Sequence, residues 1–417
     1  MEPIPEDELT LEGLTHRILE YSAVVGDHIK TNNLPALSLD VSGPGKFPVP
    51  PIFPVAHAAR LGLLEATQLL RRLVFGPADY IRLVSGLKGT SYHEVATKVG
   101  LDEDRTRSVV QHAMTNGIFK QTRPGYVAHT GISAQLVQDK YAHAMVGHNV
   151  EDVYPSAACN ADALEKYPGN SGDPTETGMN IAFNTKLPLF PYFQEHPERL
   201  QRFGLAMESL SVPGSLFDAA HVVRSFDWTS LGDATLVDVG GSRGHISMAI
   251  AEAAPAMKFV IQDNADTLKA GETDLFPALR SRFELMPYDF FNPQPTLPHP
   301  ERTVYFLRLV LHDWADRYCI KILRNLVPAL KPGSKVFINE SILPPIGAVN
   351  GVLEKMARNT DMQMLTMMNS KKRTLQEFDE IFAAADPRFK LANVHMSSGS
   401  PLAIMEVHFQ ETAENQS

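Results

Sequence analysis

The sequence predicts an α/β protein: a mostly parallel, doubly wound sheet in the C-terminal half, finished by an antiparallel hairpin, with a mainly helical region before it. Two observations carry this. From Thr235 onward, short β-rich runs alternate with helical stretches, the pattern of a parallel sheet covered on both faces. Before that point, apolar residues recur at helical spacing between Pro- and Gly-rich breaks. Composition sets the class: 417 residues, 44% hydrophobic and 21% charged, exclude a disordered, collagen-like or disulfide-stapled chain.

The opening stretch, roughly Glu8 to Lys30, reads as an amphipathic helix that cannot bury its apolar stripe alone and needs the body of the protein or a second subunit. VSGPGKFPVPPIFP (41–54) separates it from the rest of the chain. Between Ser91 and Thr130 come a short helix, a turn at LDED, a second helix and two strands about Pro124 and Gly125, the order of a winged helix-turn-helix. Val95, Val99, Val109, Val110, Ala113, Met114 and Ile118 are its expected core. Such a unit can read DNA, but here Arg105 and Arg107 stand against Asp102, Glu103 and Asp104, so a scaffold or dimerisation role is expected. Residues 140–232 return to helix, broken at EKYPGNSGDPTETG (165–178); the Phe-, Leu- and Met-rich stretch 180–211 reads as core before it reads as a ligand pocket.

The sheet is expected from TLVDVG, KFVIQD, FELMPYD, TVYFLRLV and SKVFINES, with helices at HISMAIAEAA and from about Arg317 to Leu330, and FKLANVHM and PLAIMEVHF as the closing hairpin. The resulting division is 1–135, a helical and winged-helix domain; 136–232, a helical region that lines the substrate; 233–411, the α/β domain; and 412–417, a polar tail.

Charge and cysteine content narrow the partners. The net charge of −10 argues against nucleic acid and anionic lipid. Cys159 and Cys319 form no metal-binding pattern and read as free thiols in a reducing compartment. The acidic start MEPIPEDELT lacks the basic patch of a signal peptide, and no segment reaches about 18 apolar residues, so a cytoplasmic protein without a membrane span is expected.

VDVGGSRGH (237–245) sits where a strand ends and a helix begins. Gly240, Gly241 and Gly244 let the backbone turn tightly against a ligand, and the helix start offers free N–H groups. The next strand ends in Asp263, a carboxylate placed to accept ribose hydroxyls. The order Asp238-x-Gly-Gly-x-x-Gly departs from the dinucleotide GxGxxG pattern; Asp238 would repel a pyrophosphate and attract a cation, which favours a sulfonium amino-acid cofactor.

DVGGSRGH, VIQD, MPYDFF, LRLVLHDW, LKPGSKVFINESILP and KKRTLQEF, in this order, resemble the S-adenosylmethionine-dependent O-methyltransferases of the caffeic-acid type, especially those of fungal natural-product pathways and the pericyclases related to them. The resemblance implies a class I methyltransferase fold, a homodimer joined through the N-terminal domain, S-adenosyl-L-methionine as cofactor and no metal. It places Gly240 beside the methionine part, Asp263 on the ribose, Asp289 and Phe290 about the adenine, Arg308 at a basic contact and Ser211 near the cofactor carboxylate. Ser242 stands where the commoner version has a further glycine. Phe183, Met207, Asp313, Met364 and Met368 are the substrate-lining candidates.

His312 follows a strand directly and so lies at the carboxyl edge of the sheet. The resemblance makes it the general base, oriented by Glu340. A second acid belongs in a KERT-like segment; here Lys372 stands in its register. An ammonium beside an imidazole disfavours protonation and weakens the base, whereas a lysine turned to solvent, the usual fate of that residue, removes only one orienting partner. The first reading is O-methylation of a small secondary metabolite. The alternative is a pericyclase that keeps the sulfonium as a fixed charge and uses Lys372 or His312 as a hydrogen-bond donor.

Overall fold

The computed structural model describes every residue except 1–3, 38–46, 50–52, 76–88, 214, 273–277 and 412–417; most of the expected break at 41–54 and the whole polar tail therefore lie outside the described residues. The chain divides into two compact units, 1–138 and 139–417.

In the first unit, helices Leu11–Thr31 and Pro54–Phe75 pack on each other around Leu14 and Ala66. Helices Tyr92–Val99 and Glu103–Thr115 come next, with a three-stranded antiparallel sheet of β1 (Thr90–Ser91), β2 (Phe119–Arg123) and β3 (Tyr126–His129) in the order β1-β3-β2. Ser91 and Glu94 form a reciprocal cap at the first of these helices, and Asp102 caps the second. The core is Tyr92, Val110 and Val127, with Val95, Met114 and Phe119 against it. Two expected core residues are corrected: Val99 is 57% and Val109 66% exposed. Neighbouring residues on a helix point about 100° apart, so Val109 and Val110 cannot both face inward.

In the second unit the sheet contains β4 (Thr235–Val239), β5 (Lys258–Asp263), β6 (Phe283–Pro287), β7 (Thr303–Arg308), β8 (Lys335–Ser341), β9 (Phe389–Met396) and β10 (Leu402–Phe409). Their order is β6-β5-β4-β7-β8-β10-β9; the first five are parallel, and the hairpin joins β8 antiparallel through β10. Alternation sends Leu236, Phe259, Ile261, Phe306 and Phe337 into one apolar layer and Val237, Val239, Val260, Leu307 and Ile338 into the other. The strand order reverses direction between β4 and β7, and in such sheets the crevice for a ligand opens at the carboxyl ends of the two strands flanking that point.

Helix Gly351–Met368, although late in the chain, packs into the helical part of this unit: Met364, Met367 and Met368 share a cluster with Val153, Met179, Leu189, Tyr192 and Phe193. Beside it a buried carboxylate, Asp152, is bound by His148, Arg199 and Arg202 and ties the π-helical segment Asn149–Val153 to helix Pro197–Ser209. Among the described residues no helix is long and apolar enough to cross a membrane, and no cluster of three or more His, Cys, Asp and Glu side chains is placed to hold a metal.

Candidate active site

The turn after β4 is shaped by left-handed backbone. Gly240, Ser242 and Gly244 have φ of 73°, 53° and 78°. Gly240 must lack a side chain, because a Cβ there would lie 2.9 Å from Val310 Cγ2. The N–H groups of Gly240 and Gly241 both donate to Gln262 O, at 2.8 and 3.1 Å, which folds the turn back over β5. Ser242 holds a conformation that costs a residue with a side chain about 1 kcal/mol, and its N–H donates to Asp263 Oδ2 at 2.9 Å.

Asp238 lies beneath this turn. Its carboxylate accepts from Ser247 Oγ at 2.7 Å, and a Cβ on Gly241 would come within 2.6 Å of its Cγ. Burial pushes the carboxyl up to about 6, against the pull of the Ser247 bond and the Arg308 charge. Asp263 is fixed from both sides, by Ser242 N and by Asn264 N at 2.8 Å; burial raises it, and those bonds lower it. Asp289 accepts from Phe291 N at 2.9 Å and from Asn292 Nδ2 at 3.1 Å, while Phe290 meets Trp314 edge-on at 6.0 Å. Arg308 donates to Asn339 Oδ1 and Phe217 O, both at 2.7 Å; burial lowers it to about 10, against the charges of Asp238 and Glu340. Ser211 follows helix Pro197–Ser209, and no hydrogen bond among the described residues links it to the Gly240–Gly244 turn.

These residues fit a cationic nucleoside. Asp238 is a buried carboxylate whose hydrogen bond comes from a neutral hydroxyl, and the fully buried Gln262, next to Asp263, has an Oε1 with no partner among the described residues. A cation bound over the turn favours ionised Asp238, so binding expels its proton where that carboxyl titrates. Cofactor affinity is therefore expected to weaken severalfold as pH falls from about 8 to about 5, with proton release near pH 6, and Asp238→Asn is expected to flatten the dependence; calorimetry in two buffers measures both.

The second half of the site lies just beyond β7. Leu309 turns left-handed (φ 52°), and a short 3₁₀ turn, Leu311–Asp313, presents the imidazole. His312 Nδ1 lies 3.1 Å from Glu340 Oε2, and its backbone N–H donates to Glu340 Oε1 at 3.2 Å. Glu340 is fully buried on β8. Burial alone would raise its carboxyl; the charge and hydrogen bond of His312, helped by Lys372, override that and hold it at about 2. Nε2 lies 3.1 Å from Asp313 Oδ1, and the imidazole side chain remains 14% exposed. Burial raises Asp313, opposed by His312 and Lys372.

Lys372 departs from the solvent-facing fate expected of a lysine: only 6% of it is exposed, and its charge acts on both Glu340 and Asp313. The reason is charge balance. The buried Glu340 and the half-buried Asp313 outweigh one imidazole and leave a net negative pocket that a buried ammonium offsets.

Of the substrate-lining candidates, Phe183, Met364 and Met368 come together in the helical core; Phe183 stacks on Tyr192 at 5.5 Å with the Arg199 guanidinium 4.6 Å above it. Met207 is half-buried on helix Pro197–Ser209, and Asp313 stands beside His312. A surface cavity of about 460 Å³, lined by Ala315, Asp316, Asn369, Ser370 and Lys371 among others, adjoins the turn that carries His312, and none of the five candidates lines it.

Residues 176–387 match the O-methyltransferase domain family. An O-methyltransferase of Aspergillus violaceofuscus is 33% identical, covering 94% of this chain and 97% of its own. This chain belongs to the O-methyltransferase family. A chlorophenol O-methyltransferase of Trichoderma longibrachiatum is 32% identical over 92% of this O-methyltransferase and 87% of its own length. Two solved structures share its fold. One is OxaC with S-adenosylhomocysteine and oxaline (TM-score 0.67, 18% identity, 95% of this chain and 100% of that one). The other is LepI with S-adenosylmethionine (TM-score 0.64, 24% identity, 86% and 90%).

Sequence reasoning missed Ser247, Gln262, Asn339, Ser370 and Arg373 of this O-methyltransferase. Gln262 and Asn339 had a signal, since each is a lone amide that ends an apolar run of three residues in its strand and stands next to an acid, a place where a buried amide calls for hydrogen-bond partners. Ser247, Ser370 and Arg373 carry none, because their partners are distant in sequence.

Proposed function

We propose that this protein transfers the methyl group of S-adenosylmethionine to a hydroxyl of a small secondary metabolite, with His312 as general base. The observation that carries this reading is the pairing of His312 Nδ1 with Glu340 at the carboxyl end of β7, across the switch point from the glycine turn of β4. The family membership and the relatives named as O-methyltransferases support it. When bound, the cofactor supplies an electrophilic methyl on a sulfonium.

The chain's own residues do the rest. Asp263, held by two backbone donors, keeps its remaining lone pairs for ribose hydroxyls; Asp289 and Phe290 flank the place for the adenine. A proton on Nδ1 is donated to Glu340; Nε2 faces Asp313 Oδ1 at 3.1 Å, so the substrate hydroxyl takes the place of Asp313 at the Nε2 lone pair. The reference values of an imidazole, about 6.5, and a phenol, about 10, differ by roughly 5 kcal/mol for full transfer, so proton removal concerted with methyl transfer is favoured. Glu340 then faces an imidazolium it is already ionised to stabilise. Phe183, Met207, Met364 and Met368 give the substrate side an apolar character suited to a greasy ring system. The helix–turn–helix and three-stranded sheet of the first unit fit a winged-helix scaffold for a homodimer, with the exposed Val99 and Val109 among its apolar surface.

The test is release of S-adenosylhomocysteine when the protein, cofactor and hydroxylated aromatic acceptors are combined. Stoichiometric release with a methylated product is expected; a product formed without it sinks the reading. That second outcome belongs to the cyclase reading, which one observation favours: the ammonium of Lys372 is buried beside Glu340 and Asp313, where it could donate to a substrate carbonyl.

A further inference from the structure

We propose that Arg373 is a positioning residue for His312: it holds the backbone of the turn that aims the imidazole. The inference rests on the reading of His312 as the reacting base. Arg373 has no exposed surface, and a guanidinium is tolerated there only with its donors used. Nε donates to Asp316 Oδ1 at 2.9 Å, Nη1 to Leu311 O at 2.8 Å and Nη2 to Trp314 O at 2.6 Å. Two of these three acceptors are the backbone carbonyls on either side of His312.

The same segment holds the carbonyl between them, because Ser370 Oγ donates to His312 O at 2.6 Å. Cys319 Sγ, from the next helix, reaches Leu311 O at 3.1 Å and Trp314 O at 3.2 Å. Within itself the turn is weak: a three-residue 3₁₀ segment entered through the left-handed Leu309, whose internal bonds, Asp313 N to Val310 O and Trp314 N to Leu311 O, are 3.2 and 3.3 Å long. Its geometry is therefore set from outside.

The clamp is itself anchored. Leu343 N donates to Arg373 O at 2.8 Å, Lys372 N to Asp361 Oδ1 at 2.8 Å, and Lys371 Nζ pairs with Glu377 at 2.7 Å and Asp316 at 3.2 Å. A planar fork engages two carbonyls and a carboxylate at once, which the point charge of lysine cannot do. Arg373→Lys keeps the charge and loses the geometry. A reacting group displaced by about 1 Å costs on the order of 10²-fold in rate, and the glycine turn that binds the cofactor takes no part in the clamp.

The experiment uses the full-length chain labelled with ¹⁵N-histidine, the His312 signal being assigned by its loss in His312→Gln, alongside steady-state methyl transfer and calorimetric cofactor binding. In the parent protein His312 is expected to show one tautomer, protonated at Nδ1. Arg373→Lys is expected to give an averaged tautomer signal and a kcat lowered at least about tenfold, with KM and cofactor Kd within about twofold. Ser370→Ala moves both readouts the same way by less, and it decides the matter if Arg373→Lys loses cofactor binding altogether. A kcat within about twofold of the parent together with an unchanged His312 signal overturns the proposal. If the parent protein methylates no hydroxyl acceptor, the base reading fails, while the tautomer signal still decides whether Arg373 sets the ring.

Discussion

Replacing His312 with alanine is expected to lower methyl transfer by about 10² to 10⁴-fold, the range that a positioned proton acceptor contributes, while cofactor affinity stays within about twofold. The two effects separate because the site is built from two strand ends. Asp238, Gly240 and Asp263 belong to β4 and β5, and their bonds run to Ser247, Gln262, Ser242 and Asn264; none involves the His312 ring. The imidazole belongs to the turn after β7, and its ring partners are Glu340 and Asp313. Loss of the ring leaves Glu340 buried, but the backbone N–H of residue 312 still reaches that carboxylate and the Lys372 charge still faces it, so the fold is expected to survive. Initial rates with saturating cofactor, paired with calorimetry, check the split. Unimpaired turnover would remove His312 from the mechanism.

Lys372→Met is expected to weaken the resistance of the chain to acid and to leave methyl transfer near pH 8 within a fewfold of the parent. The sign comes from the charges around the ring. Against burial, His312 and the buried ammonium both help to hold Glu340 at about 2, and both pull Asp313 down. Without that ammonium, Glu340 is held less far below its ordinary range. Stability obeys the same linkage. Glu340 is depressed in the folded chain, so its contribution is present above the unfolded value of about 4.3 and is lost as pH falls toward 2. The variant should resist acid less well than the parent. The cyclase reading gives a different result: a lost carbonyl donor costs about 10² to 10³-fold in product at every pH. Product rates and an acid titration of the variant therefore distinguish a lysine that holds Glu340 ionised from one that performs the chemistry.

Much of the architecture was legible in the residues. The change from helical spacing to short β-rich runs at Thr235 marked the start of the sheet, and VDVGGSRGH announced a turn that the φ angles of Gly240 and Gly244 bear out. Glu340, 28 residues beyond His312, could be paired with it by resemblance alone, and the two meet at 3.1 Å. Other readings failed where the answer depended on what arrives from elsewhere in the chain. Val99 and Val109 fit an apolar pattern and face outward. Met364, Met367, Met368 and Phe183 stand far apart along the chain, and folding gathers them about Phe193. Arg373 sat unnoticed in KKRT, since nothing within that tetrapeptide shows that its acceptors lie at Leu311, Trp314 and Asp316.

The sequence alone determined the alternating architecture, the sharp turn after Asp238 and the nature of the groups offered for binding and reaction, because periodicity, backbone sterics and side-chain chemistry are properties of neighbouring residues. Only the tertiary structure decided that Lys372 and Arg373 are buried and what each holds. A cation leaves water only when carboxylates and carbonyls from other strands and turns converge to replace its hydration. That convergence of Glu340, Asp313 and the Leu311–Trp314 turn is a property of the folded sheet.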